Sequence, residues 1–85
     1  MDLARQLAEA LREMRKDANI TQTEMAKRLG ISQPTLNRLE NAGQNTTLKT
    51  LDQLCRALRC GLGDLFETGR VKLRPGRARK RGGVA

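Results

Sequence analysis

Tryptophan, tyrosine and histidine are absent from this chain, and it has one phenylalanine, two prolines and two cysteines. Each shortage excludes something. With almost no aromatic volume, a core must be assembled from Leu, Ile, Met and Ala, which suits a small helical bundle of modest stability. Without histidine there is no imidazole to act as general base or metal ligand. Cys55 and Cys60, lacking a second cysteine pair, complete neither a zinc site nor a disulfide framework. Cys55 shares a helical face with Leu51, Leu54 and Leu58 and reads as a small core hydrophobe. There is no glycine-rich phosphate loop on a strand and no nucleophile beside an evident base. The acidic residues are spaced as helix ion pairs are, not as catalytic pairs. The expectation is a non-enzyme with no catalytic residue, no metal and no cofactor. No apolar run approaches the ~18 residues of a membrane span, and no charged segment followed by an apolar one opens the chain. A soluble, cytoplasmic protein is expected, with no membrane partner.

Charge of one sign is also missing locally. Residues 1–69 hold ten basic and nine acidic side chains, whereas residues 70–85 hold seven basic and no acidic ones. The net charge of +8 therefore sits almost wholly in the last sixteen residues. That stretch, rich in Arg, Gly and Pro, cannot bury enough apolar surface to fold alone and reads as a disordered basic tail. The expected division is a folded unit over residues 1–68 and a flexible basic tail over 69–85. Within the tail, Val71 to Arg74 alternate apolar and basic residues, as a short strand pairing with another chain would.

What is present is organised around Thr21 to Asn41, which carries two sets of helix-start signals. Thr21 with Glu24 makes a capping box, and Ile20 with Met25 a hydrophobic staple. Ser32 is a second N-cap, with Ile31 and Leu36 in staple positions and Pro34 in the first turn, where its missing N–H breaks no bond. Gly30 between them can take the positive φ that ends a helix. Met25, Ala26, Leu29, Ile31, Leu36 and Leu39 form two inward faces, with Ala26 small where the helices cross. Ser32, Gln33, Thr35, Asn37 and Arg38 are left outward on the second helix. Such residues suit the edges of bases, since Gln and Asn pair bidentately with adenine and Arg with guanine. The geometry is that of a DNA-binding helix-turn-helix.

A helix precedes this motif, from Asp2 to about Asp17, with Leu3, Leu7, Leu11 and Met14 inward and Asn19 in the left-handed position that ends it. Another follows it, capped by Thr46 or Thr47 and carrying Leu48, Leu51, Leu54, Cys55 and Leu58.

Thr21-Gln22, Met25-Ala26, Gly30-Ile31, Ser32-Gln33 and Glu40-Asn41 resemble the helix-turn-helix signature of the phage-repressor and Cro-type (xenobiotic-response-element) regulators, over about residues 3–67. The resemblance implies an all-α, compact five-helix repressor-like bundle, whose short fifth helix corresponds to Gly61 to Phe66. It implies an ion pair between Arg15 and Glu40. It also implies a homodimer on double-stranded DNA: Gln22 would hold a phosphate, and Ser32, Gln33, Asn37 and Arg38 would face the major groove. Pro34 and Thr35 would lie close to the groove, and Asn41 would complete the DNA-binding set. The family commonly has Gly directly after Glu-Asn and at the end of the fourth helix. Here those places hold Ala42 and Arg59, so the loop contacts are open and the fourth helix is expected to end differently. The expected function is a transcriptional regulator, a repressor, on a palindromic operator. The alternative is an antitoxin that also binds a protein toxin, because Asn45-Thr46-Thr47-Leu48 is similar to antitoxins paired with kinase-like toxins.

Overall fold

The computed structural model describes residues 2–42 and 46–73. Five helices follow in order: α1 Leu3–Ala18, α2 Gln22–Leu29, α3 Gln33–Glu40, α4 Leu48–Leu58 and α5 Leu62–Leu65, with no strand among the described residues. Four begin on a side-chain cap. Asp2, Thr21, Ser32 and Thr47 accept from the backbone N–H three residues on, each satisfying one orphan donor of the first turn. The reciprocal half of the expected capping box is not made at Thr21. The Glu24 carboxylate accepts instead from Arg28 Nε at 3.2 Å.

Three helices end in the same way. Asn19, Gly30 and Arg59 take left-handed backbone, and the N–H of the next residue reaches back to the carbonyl five positions earlier. These bonds are Ile20 to Arg15 at 3.4 Å, Ile31 to Ala26 at 3.1 Å and Cys60 to Cys55 at 3.1 Å. This is the Schellman arrangement, which satisfies the last carbonyls of a helix. The expectation that α4 ends differently for want of glycine is therefore corrected. The cost of left-handed backbone at a non-glycine residue, about 1 kcal/mol, is outweighed by two closing hydrogen bonds and the packing of Cys60 against the core. Ala42 also carries positive φ, at 56°. At Gly30 the need is double: φ is 72°, and a Cβ there would meet Gln53 Nε2 at 2.5 Å. That amide donates to Leu29 O at 3.0 Å and ties α4 to the turn of the motif.

The core gathers Leu7, Leu11 and Met14 of α1, Met25, Ala26 and Leu29 of α2, Leu36 and Leu39 of α3, Leu54 and Leu65. Leu3, expected inward, is 56% exposed. It lies in the first turn of α1, before the helix reaches its neighbours. Val71 and Leu73 pack against the core, Arg70 Nε lies 3.3 Å from Asp64 Oδ1, and Lys72 Nζ lies 3.6 Å from Asp17 Oδ2. A short apolar-basic alternation thus docks on the chain's own body. The remainder of the expected tail, residues 74–85, lies outside the described residues, as do Gly43 to Asn45 of the loop.

One polar group enters the core. Glu40, the last residue of α3, is 3% exposed. Arg15 of α1 grips it bidentately, Nε to Oε2 at 2.8 Å and Nη2 to Oε1 at 2.9 Å. Gln22 Nε2 adds a third donor at 3.2 Å, and Arg12 Nη1 donates to the Glu40 carbonyl at 3.0 Å. Paired guanidinium N–H groups match a carboxylate in geometry and charge. The bonds join α1 to both helices of the motif.

Two stability predictions follow. Arg59→Gly raises stability by about 0.5–1 kcal/mol in urea unfolding, by removing the left-handed cost; a loss instead would place the value of Arg59 in its side chain. Arg15→Ala or Glu40→Ala lowers stability by up to about 3 kcal/mol, because the remaining charge is stranded in a largely dry site. A double-mutant cycle returns a coupling above about 1 kcal/mol; additive losses would mean that the pair is not an energetic unit.

Candidate nucleic-acid interface

The Ser32 cap and Pro34 start α3 directly beyond the tight turn at Gly30, and Leu36 and Leu39 pin its inner side in the core. The period of the helix then leaves Gln33, Pro34, Asn37 and Arg38 exposed on the other side, with Ser32 and Asn41 exposed at its two ends. Thr35 is half-buried. Its hydroxyl lies 2.7 Å from that of Ser32, whose oxygen also accepts the Thr35 N–H at 3.2 Å. The face is polar, carries one cation and presents its N-terminal turn outward.

Its amides are not independent. Gln33 Nε2 donates to Gln22 Oε1 at 3.3 Å, and Gln22 Nε2 donates to Asn37 Oδ1 at 3.3 Å as well as to buried Glu40. Asn41 Nδ2 closes the series on Asn37, to the carbonyl oxygen at 2.7 Å and to Oδ1 at 3.2 Å. The structure thus brings Gln22, Gln33, Asn37 and Asn41 into one connected surface, rooted in the Arg15–Glu40 pair. Ser32 and Thr35 form a second small group at the start of α3. Arg38 stands apart from both.

Two contributors are not visible as patterns in the sequence. Arg12 reads as one more exposed charge on α1, yet it satisfies the last carbonyl of α3. With Arg15, Lys16, Asn19 and Ile20 it lines a shallow open groove beside that helix end. Gln53 sits on α4, far along the chain, and only the fold brings it to Leu29. No local spacing could have revealed either contact.

Comparison with known proteins agrees with this geometry. Residues 10–69 match the Cro/C1-type HTH DNA-binding domain. The chain is 42% identical over 55 residues to antitoxin HigA1 of Mycobacterium tuberculosis, covering 65% of this chain and 37% of that protein. It is 42% identical over 53 residues to antitoxin HipB of Escherichia coli K12, covering 62% and 60%. The matched stretch is therefore about a third of HigA1 and under two thirds of HipB. Among solved structures, the clp gene regulator ClgR from C. glutamicum superposes with a TM-score of 0.61 at 30% identity, over 75% of this chain and 82% of that one. No described helix is long and apolar enough to cross a membrane. With the two capped helices, the glycine turn and the polar face of α3 in place, this chain belongs to the Cro/C1-type helix-turn-helix family of DNA-binding regulators.

Proposed function

We propose that this chain is a transcriptional repressor that binds a palindromic operator as a homodimer, with α3 in the major groove. The observation that carries the proposal is the connected amide surface of Gln33, Gln22, Asn37 and Asn41, anchored on a buried ion pair. Side chains already held in place lose little freedom on docking, which favours discrimination between bases over loose attraction. In this reading Ser32, Gln33, Asn37 and Arg38 face the base edges of the major groove, Gln22 holds a phosphate, and Pro34 and Thr35 lie close to the groove. Asn41 closes the surface on the side of the loop.

A second copy is required because one module of this size covers too little DNA for strong discrimination. Helix α4 supplies an apolar face for it. Leu54 alone on that helix is fully buried; Leu51, Cys55 and Leu58 are half-buried, and Leu48 and Leu62 are 81% and 51% exposed. That surface runs on to half-buried Phe66 directly after α5. The basic residues beyond Leu73 act as a separate electrostatic unit, adding affinity without sequence information.

The second reading is an antitoxin that binds a protein toxin and represses its own operon. Similarity to HigA1 and HipB over the helix-turn-helix favours it. The two readings share the DNA surface and differ in a protein partner. Copurification of the chain with the product of an adjacent gene would establish the antitoxin.

Three results test the main reading. Gln33→Ala costs about 1–3 kcal/mol on the selected operator and little on random DNA; equal losses on both would make Gln33 a positioning contact. Leu62→Lys leaves the helical circular dichroism intact but shifts sedimentation of the saturated operator complex from two chains to one. Two chains per operator in the variant would place the interface elsewhere. A chain ending at Leu73 binds operator and random DNA more weakly, with their ratio kept. With four phosphates engaged per chain, it loses roughly 3.6 per bound chain from the slope of log K against log salt. An unchanged slope would remove the extension from the DNA contact.

A further inference from the structure

We propose that Cys55 and Cys60 form a dithiol/disulfide couple, a two-electron modification site built into the C-terminal turn of α4. The argument begins with the backbone. The Cys60 N–H donates to Cys55 O at 3.1 Å, and the Arg59 N–H donates to Arg56 O at 3.3 Å, with Arg59 left-handed between them. In a Schellman turn the two residues joined by the bond that spans six residues commonly pack their side chains together. At the end of α2 those positions hold Ala26 and Ile31. At the end of α4 both are cysteine.

The side chains agree with the backbone. Both cysteines are half-buried against the core and both are free thiols. Burial pushes the Cys60 thiol up from its ordinary pKa, and Cys55, as a neighbouring charge and as a hydrogen-bond partner, pushes it further; Asp64 adds to this. The backbone bond between them makes the two residues neighbours at one turn. A direct backbone hydrogen bond keeps the two Cα atoms near the separation of about 4.4–6.8 Å that a disulfide spans. Partial exposure leaves the pair within reach of a small oxidant. The turn is fixed by its own hydrogen bonds, so joining the two side chains leaves the core as it is.

The oxidant is a low-molecular-weight disulfide. The Cys55 thiolate attacks one of its sulfurs, forming a mixed disulfide and expelling one thiolate. Cys60 then loses its proton to solvent and attacks the Cys55 sulfur, expelling the second small thiol. Two protein thiols are oxidised to one disulfide, and one small disulfide is reduced to two thiols. The product closes a six-residue ring over the corner between α4 and α5, next to Leu58 on the apolar face of α4.

Titration of the full chain in mixtures of glutathione and glutathione disulfide tests this. The expected end state has lost two hydrogens in mass, carries no glutathione, and runs as a single chain on a non-reducing gel. The reduced and oxidised forms should interconvert with the square of the glutathione concentration. Trypsin cuts at Arg56 and Arg59, so each cysteine falls on its own peptide, and the two peptides stay joined until reduced. In Cys60→Ser the reaction stops at a glutathione adduct on Cys55. Persistent adducts on both cysteines of the natural chain, disulfides only between chains, or two free thiols under oxidising buffer would each overturn the proposal.

Discussion

A carboxylate at the end of α3 that is almost sealed from water is the constraint on which the remainder of this structure depends. Every hydrogen bond that Glu40 accepts there comes from another helix: Arg15 and Arg12 of α1 and Gln22 of α2. The pair fixes the angle at which the outer face of α3 is presented. It also extends to the surface, since Gln22 bonds the buried carboxylate, Gln33 and Asn37 together. A charge inside a small protein is a poor source of stability by comparison with a well-packed apolar residue. Here it links the packing of three helices to the placement of the polar side chains on the outer face of α3.

The second organising device is the way the helices stop. Three use left-handed residues with the same pair of closing bonds, and only one of the three residues is glycine. Each closure turns the chain sharply enough for the next short helix to begin within three residues. That tight spacing lets eight-residue helices, too short to persist alone, bury one side against α1 and α4. The apolar side of α4 is shared differently. Leu54 faces inward, while Leu51, Cys55 and Leu58 are only partly covered.

Much of this was legible in the sequence because the signals are local. Thr21, Ser32 and Thr47 announce helix starts, Asn19 and Gly30 announce stops, and the apolar spacing from Met25 to Leu39 leaves one polar face. The parts that were not legible depend on distant partners or on small energy differences. Arg59 adopts a backbone that propensity disfavours because the closing bonds and the packing of Cys60 outweigh a cost of about 1 kcal/mol. Residues 70–73 read as the start of a charged tail, yet Asp64, Asp17 and the core receive them. Gln53 and Arg12 act only through contacts that the completed fold creates. On the outer face of α3 the residue types were evident, but the hydrogen bonding of Gln22 to Gln33, Asn37 and the buried carboxylate together was not.

The central claim is that this rooted amide surface reads base sequence, once from each of two copies. Selection of bound fragments from random double-stranded DNA by the full chain tests it most directly. The account predicts enrichment of an inverted repeat whose half-site centres lie about 34 Å apart along the helix axis. Enrichment of a single unrepeated site, or of no sequence above the starting pool, would contradict it.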